Sequence, residues 1–119
     1  MGFMARAGAG WQQEGCRQID STQALELIRD RDALVVDVRE PHEFAAGRIP
    51  NAELIPLREI GYHVENLRRH GDRPIILSCR TGGRSETACR FLRQSGIKNV
   101  FNLAGGLMGW LMAGIALAE

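Results

Sequence analysis

The sequence predicts a single α/β domain built around a mainly parallel sheet. Two patterns carry this prediction. Short apolar runs alternate along the chain with segments of helical period, and glycine, proline or asparagine separates most of them. Size agrees: 119 residues suit one domain and leave little room for a second. A hydrophobic share of 45% supplies one ordinary core.

The first segment, 1–15, is rich in Gly and Ala and has no clear period, so a flexible N-terminal tail is expected there, with the folded domain over 16–119. Asp20 is placed to cap a helix, with Gln23 three residues on as its capping-box partner. Ala24, Leu25 and Ile28 then mark one face of a helix over Ser21–Arg29. Ala33–Val38 is a short continuous apolar run, as expected of a strand buried on both faces. Ala52–Ile55 is a weaker strand. Pro56 suits the first turn of a helix, whose stripe is Leu57, Ile60, Val64 and Leu67 and which Gly71 can end. Pro74–Ser78 is a second buried strand. Ala88, Phe91 and Leu92 mark the inner face of a helix from about Arg84 to Gln94, ended by Gly96. Val100–Leu103 is the last strand, followed by a glycine turn and a short helix around Leu107–Met112.

Charge narrows the function. Fifteen basic against 14 acidic residues leave a formal net charge of +1. No global field draws in nucleic acid or an anionic membrane, so attraction for an anion must be local. The longest uncharged run, Asn99–Ala118, holds four glycines, and its apolar part is shorter than the about 20 residues a spanning helix needs. The three cysteines, Cys16, Cys79 and Cys89, form no Cys-x-x-Cys pair and are odd in number. A disulfide framework or a structural zinc is therefore not expected, and a reducing, cytoplasmic setting is. His42, His63 and His70 lack metal-ligand spacing, and no metal or cofactor is expected.

Chemistry concentrates in Cys79-Arg80-Thr81-Gly82-Gly83-Arg84-Ser85, between a strand and a helix. Ligands of parallel sheets bind beyond the carboxyl ends of the strands, and both this segment and Asp37–Arg39 lie at such ends. Cysteine reacts as the thiolate, and a helix N-terminus lowers a nearby thiol pKa through its unpaired N–H groups. Arg80 and Arg84 add positive charge. Gly82 and Gly83 let the backbone turn its amides inward as an anion nest. Cys79 is thus read as a nucleophile in an anion cradle, and not as an inert core cysteine.

In these residues the chain resembles the rhodanese family over about Ile19 to Leu117. Three stretches carry the resemblance. Asp37-Val-Arg39-Glu-Pro-His-Glu43-Phe44-Ala-Ala-Gly47-Arg-Ile49-Pro50-Asn-Ala52 looks like the family's first signature, with Arg48 where histidine is frequent and Asn51 where glycine is. The Cys79–Arg84 loop matches the family's persulfide carrier, and Gly105-Gly106-Leu-Met-Gly-Trp110 its closing motif. The resemblance implies a five-stranded, mainly parallel sheet with helices on both faces. It implies a thiosulfate sulfurtransferase in which Cys79 carries sulfur as a persulfide, cradled by Arg80, Thr81, Gly82, Gly83 and Arg84. A small anionic donor such as thiosulfate and a thiophilic acceptor, either cyanide or a thiol, are the expected partners.

Arg39 is expected to add to the anion field or to pair with Glu43, four residues on. Asp37 and Glu43 are expected to buttress the site. Cys89 is expected to pack beside Ala88, Phe91 and Leu92 and Cys16 to stand without a partner, while Trp110 anchors the core. Three alternatives stay open: a persulfide carrier for a partner protein, a phosphatase or arsenate reductase of related fold, and a non-catalytic module.

Overall fold

The computed structural model describes residues 16–119; the tail expected over 1–15 lies outside the described residues. The fold is an α/β sandwich. Five parallel strands, β1 (Arg17–Ile19), β2 (Leu34–Asp37), β3 (Glu53–Leu54), β4 (Ile75–Ser78) and β5 (Val100–Leu103), run in the order β1-β5-β4-β2-β3. The helices are α1 (Ser21–Arg31), α2 (Pro41–Ala46), a 3₁₀ helix (Leu57–His63) running into α3 (Val64–Arg68), α4 (Gly83–Gln94) and α5 (Gly106–Met112). None is long and apolar enough to cross a membrane.

Alternation in the two central strands divides the core into two layers. Leu34, Val36 and Val38 with Ile75, Leu77 and Cys79 face the 3₁₀ segment and α4, packing on Ile60, Leu67, Ala88, Cys89 and Leu92. Val35 and Ile76 face the other way, toward Ala24 of α1 and Leu107 and Trp110 of α5. The register sets Asp37 beside Ser78 at the carboxyl ends of β2 and β4. The two loops singled out by sequence, Asp37–Arg39 and Cys79–Arg84, are thereby neighbours.

Local signals explain most boundaries. Asp20 Oδ1 accepts from the Gln23 amide at 2.8 Å and Gln23 Oε1 from the Asp20 amide at 2.9 Å, so the capping box closes α1 as expected. Gly96, at φ 91°, ends the turn after α4. Trp110 is buried and donates to the Ala116 carbonyl at 3.1 Å, as an anchor does.

Three readings need correction. Leu25 and Phe91 are exposed, because the faces of α1 and α4 that meet the sheet run through Ser21 and Ala24 and through Ser85, Ala88, Cys89 and Leu92. The stripe Leu57–Ile60–Val64–Leu67 is split: Leu57 and Ile60 lie in the 3₁₀ segment and Val64 and Leu67 in α3, because the spacing of three at its start fits three residues per turn as well as it fits an α-helix. Third, Cys16 and Cys89 form a disulfide, with Cα atoms 5.6 Å apart. Their separation of 73 residues hides this pairing from sequence. Cys16 enters β1 at the sheet edge, and α4 turns Cys89 inward beneath it. Cys89 packs in the core as expected and is also bonded, leaving Cys79 the one free cysteine.

A bond closing a loop of that length stabilises by about 2–5 kcal/mol, largely through the unfolded chain. Cys16→Ser is expected to lower the thermal midpoint by several degrees while leaving the chemistry of Cys79 in place. Melting curves of the two proteins check this, and identical curves would count against the bond.

Candidate active site

Cys79 follows β4, and its loop leads directly into α4. Its residue is 1% exposed, and protein donors surround the sulfur. The Gly82 amide donates to Cys79 Sγ at 3.1 Å, the Ser85 amide at 3.4 Å and the Ser85 hydroxyl lies 3.3 Å away. The Thr81 amide also contributes. Gly82 is the N-cap of α4 and Ser85 its third residue, so these are the N–H groups a helix start leaves unpaired. Gly82 sits at φ 114°, a conformation side chains rarely adopt. The nest expected from the two glycines is thus built, chiefly by Gly82.

Burial, the largest influence on the thiol, pushes its pKa up, since charge is costly away from water. The Ser85 hydroxyl and the Ser85, Gly82 and Thr81 amides together outweigh it, and the pKa falls below the ordinary value. Arg84 turns its guanidinium to Glu43, with Nη1–Oε1 at 2.8 Å and Nη2–Oε2 at 3.0 Å. That fork holds Glu43 well below the usual carboxylate range, at about 2. Arg39 does not pair with Glu43. It is buried, pairs with Asp37 (Nη2–Oδ2 2.8 Å) and donates to the Gly47 carbonyl at 2.7 Å. Asp37 Oδ1 also accepts from the Arg39 amide at 3.0 Å. Asp37 and Glu43 therefore tie the β2 end and α2 to the site, while Arg80 is exposed at its rim.

The closing motif explains how the loop is held. The amides of Leu107 and Met108 donate to the Cys79 and Arg80 carbonyls at 2.9 and 3.0 Å. Gly106 permits this approach: a Cβ there would lie 2.4 Å from the Cys79 carbonyl oxygen and 2.6 Å from that of Arg80. With the loop's carbonyls bound outward, its amides face inward. A cleft of about 400 Å³ opens beside the loop, bordered by Arg39, Glu43, Arg80, Leu107, Met108 and Leu111.

Sequence reasoning passed over the roles of Ser85, Asn102 and Gly106. Ser85 is buried, and its hydroxyl also lies 2.5 Å from Asn102 Oδ1. A polar residue inside the apolar run Val100–Leu103 was the available signal for Asn102.

The rhodanese-like domain family model matches residues 20–113. The chain is 37% identical over 101 residues to a protein named sulfurtransferase from Allochromatium vinosum, covering 84% of this chain and 92% of that one. It is 31% identical to the thiosulfate sulfurtransferase GlpE of Pseudoalteromonas translucida, covering 79% and 88%. Among solved structures, a rhodanese-related protein from Thermoplasma volcanium superposes with a TM-score of 0.76 at 33% identity, covering 86% of this chain and 97% of that one.

Two outcomes follow from the geometry. Because Cys79 is the one free thiol, alkylation rate against pH reads its ionisation directly. The midpoint is expected below about 8.5, and Ser85→Ala is expected to raise it by about one pH unit, the size of one hydrogen bond to a charged group. The Glu43 carboxylate, depressed in the folded state, contributes stability above the unfolded carboxyl pKa of about 4.3, and this is lost as pH falls toward about 2. Acid titration of unfolding is expected to fall less steeply across that window in Glu43→Gln than in the parent.

Proposed function

The chain belongs to the rhodanese-like domain family, and from that premise we propose that it is a sulfurtransferase carrying sulfane sulfur on Cys79, with thiosulfate or a similar anion as donor. The observation that supports this best is the set of amides and one hydroxyl converging on a buried, acidified sulfur.

The reaction is a double displacement. The Cys79 thiolate attacks the outer sulfur of thiosulfate. A Cys79 Sγ–S bond forms, the sulfur–sulfur bond of the donor breaks, and sulfite leaves with the electron pair. The outer sulfur keeps its negative charge as the terminal persulfide sulfur, and the charge that was on Sγ leaves with sulfite. An acceptor, cyanide or a thiolate, attacks that terminal sulfur and takes it as thiocyanate or a persulfide, returning the Cys79 thiolate. No proton is transferred in either half when the nucleophiles are ionised, so no general base is required. Loop amides from Thr81 to Ser85 stabilise the anions. Arg80 attracts the donor at the rim. Arg84 holds the loop to α2 through Glu43, and the Asp37–Arg39 pair fixes the wall beside it.

A phosphoryl group brings three oxygens that need loop amides. Only four residues separate Cys79 from Arg84, one fewer than in the phosphatases of related fold, and Arg84 is turned to Glu43. The loop suits one terminal sulfur better.

Mass spectrometry after thiosulfate treatment is expected to show one added sulfur atom, removed by cyanide. Cys79→Ser should show neither the addition nor turnover. Hydrolysis of an aryl phosphate is expected to be undetectable where thiosulfate is consumed. Sulfur loading that survives Cys79→Ser, or Cys79-dependent phosphatase activity, would overturn the reading.

A further inference from the structure

The Ser85 hydroxyl has one proton and two acceptors, Cys79 Sγ at 3.3 Å and Asn102 Oδ1 at 2.5 Å. Resting on Cys79 as the nucleophile, we propose that Asn102 is a positioning residue that directs this proton. It holds the proton while Cys79 is a neutral thiol and yields it when Cys79 is charged.

Three features carry the inference. First, Cys79, Ser85 and Asn102 are all at most 2% exposed, so the competition for the proton is settled among themselves. Second, the Asn102 amide is locked in orientation. Its Nδ2 donates to the Gly82 carbonyl at 3.2 Å and to Gln18 Oε1 at 2.8 Å. Turned over, it would set Oδ1 against the Gly82 carbonyl. Gln18, the cross-strand neighbour of Asn102, is oriented in turn: its Nε2 donates to the Cys16 carbonyl at 3.3 Å and to Glu86 Oε1 at 3.4 Å. Oδ1 therefore always faces Ser85. Third, the two acceptors rank differently in the two states. Against a thiol, the amide oxygen is the better acceptor, and the S–H can donate to Ser85 Oγ. Against a thiolate, the charged sulfur is the better one. On ionisation the thiol proton leaves to solvent, the hydroxyl rotates to Sγ, and Asn102 Oδ1 is left buried without its donor. That loss opposes ionisation. Asn102 thus tunes the acidity of Cys79 through Ser85 without touching sulfur or substrate.

The charged groups around the thiol are Arg80 and Arg84 of the loop, Glu43 of α2, the Asp37–Arg39 pair after β2, and Glu86 beyond Gln18. The test substitutions leave all of them in place. The Ser85→Ala shift in the alkylation midpoint of Cys79 is measured in three backgrounds: parent, Asn102→Ala and Asn102→Asp. In the parent it is about one pH unit upward. With the competitor removed in Asn102→Ala, the hydroxyl belongs to sulfur alone and the shift grows. In Asn102→Asp the anionic acceptor keeps the proton, and the shift falls toward zero. A purely structural Asn102 gives equal shifts in all three, or a smaller shift in both variants, and either result overturns the proposal. Thermal melting checks that each variant is folded. Should Asn102→Asp not fold, growth against constancy in Asn102→Ala decides. Alkylation needs no turnover, so the expected ordering without persulfide formation on the parent protein would sink the sulfurtransferase reading and leave this one standing.

Discussion

Everything at the site depends on where the backbone of one loop points its carbonyls. A strand-to-helix loop has both donors and acceptors, and an anion cradle needs the donors inward. Here the N-terminus of α5 takes up the Cys79 and Arg80 carbonyls through the Leu107 and Met108 amides. Only a residue without Cβ at position 106 lets the two backbones come this close. The loop amides are then free to converge on sulfur. The same orphan N–H groups that every helix start must satisfy become the binding surface for charge.

This arrangement also explains how a nearly neutral protein can favour the charged form of a buried sulfur. Two of the arginines closest in sequence to the chemistry are not free charges. Arg84 is neutralised by Glu43 and Arg39 by Asp37. Their pairs act as struts: one joins α4 to α2, the other closes the end of β2. The Asp37–Arg39 pair is buried, and the desolvation of its two charges offsets much of their attraction. The hydrogen bonds from Ser85, Gly82 and Thr81 lower the Cys79 pKa at short range, where the low local dielectric strengthens them, and the charge of Arg84 also interacts with Cys79.

The disulfide and the polar chain meet the same end of the molecule. Cys89 lies one helical turn after Ser85 on the buried face of α4, and Cys16 lies two residues before Gln18 on β1. The bond holds β1 against α4 where Gln18 orients Asn102. An edge strand of three residues has little pairing of its own, so a covalent tie there keeps the supporting side chain in register with the loop it serves.

Sequence by itself determined the α/β class, four of the five strands, the capping box of α1 and the glycine that ends the turn after α4, and it singled out the Cys79 loop; the short edge strand β1 and the helix α2 carry too little periodicity to be read locally. The legible features rest on local physics: periodicity of burial, capping chemistry, and glycines where the backbone must turn. The family's three motifs were legible for the same reason, as each is contiguous. Tertiary structure alone decided what pairs across the chain. Glu43 meets Arg84, 41 residues away, instead of Arg39, four away. Cys16 meets Cys89 across 73 residues. Asn102 meets both Ser85 and Gln18. Strand order β1-β5-β4-β2-β3 brings these together, and no local period encodes it. Parallel pairing fixes which distant side chains share a face, and that is where hydrogen-bond partners are chosen.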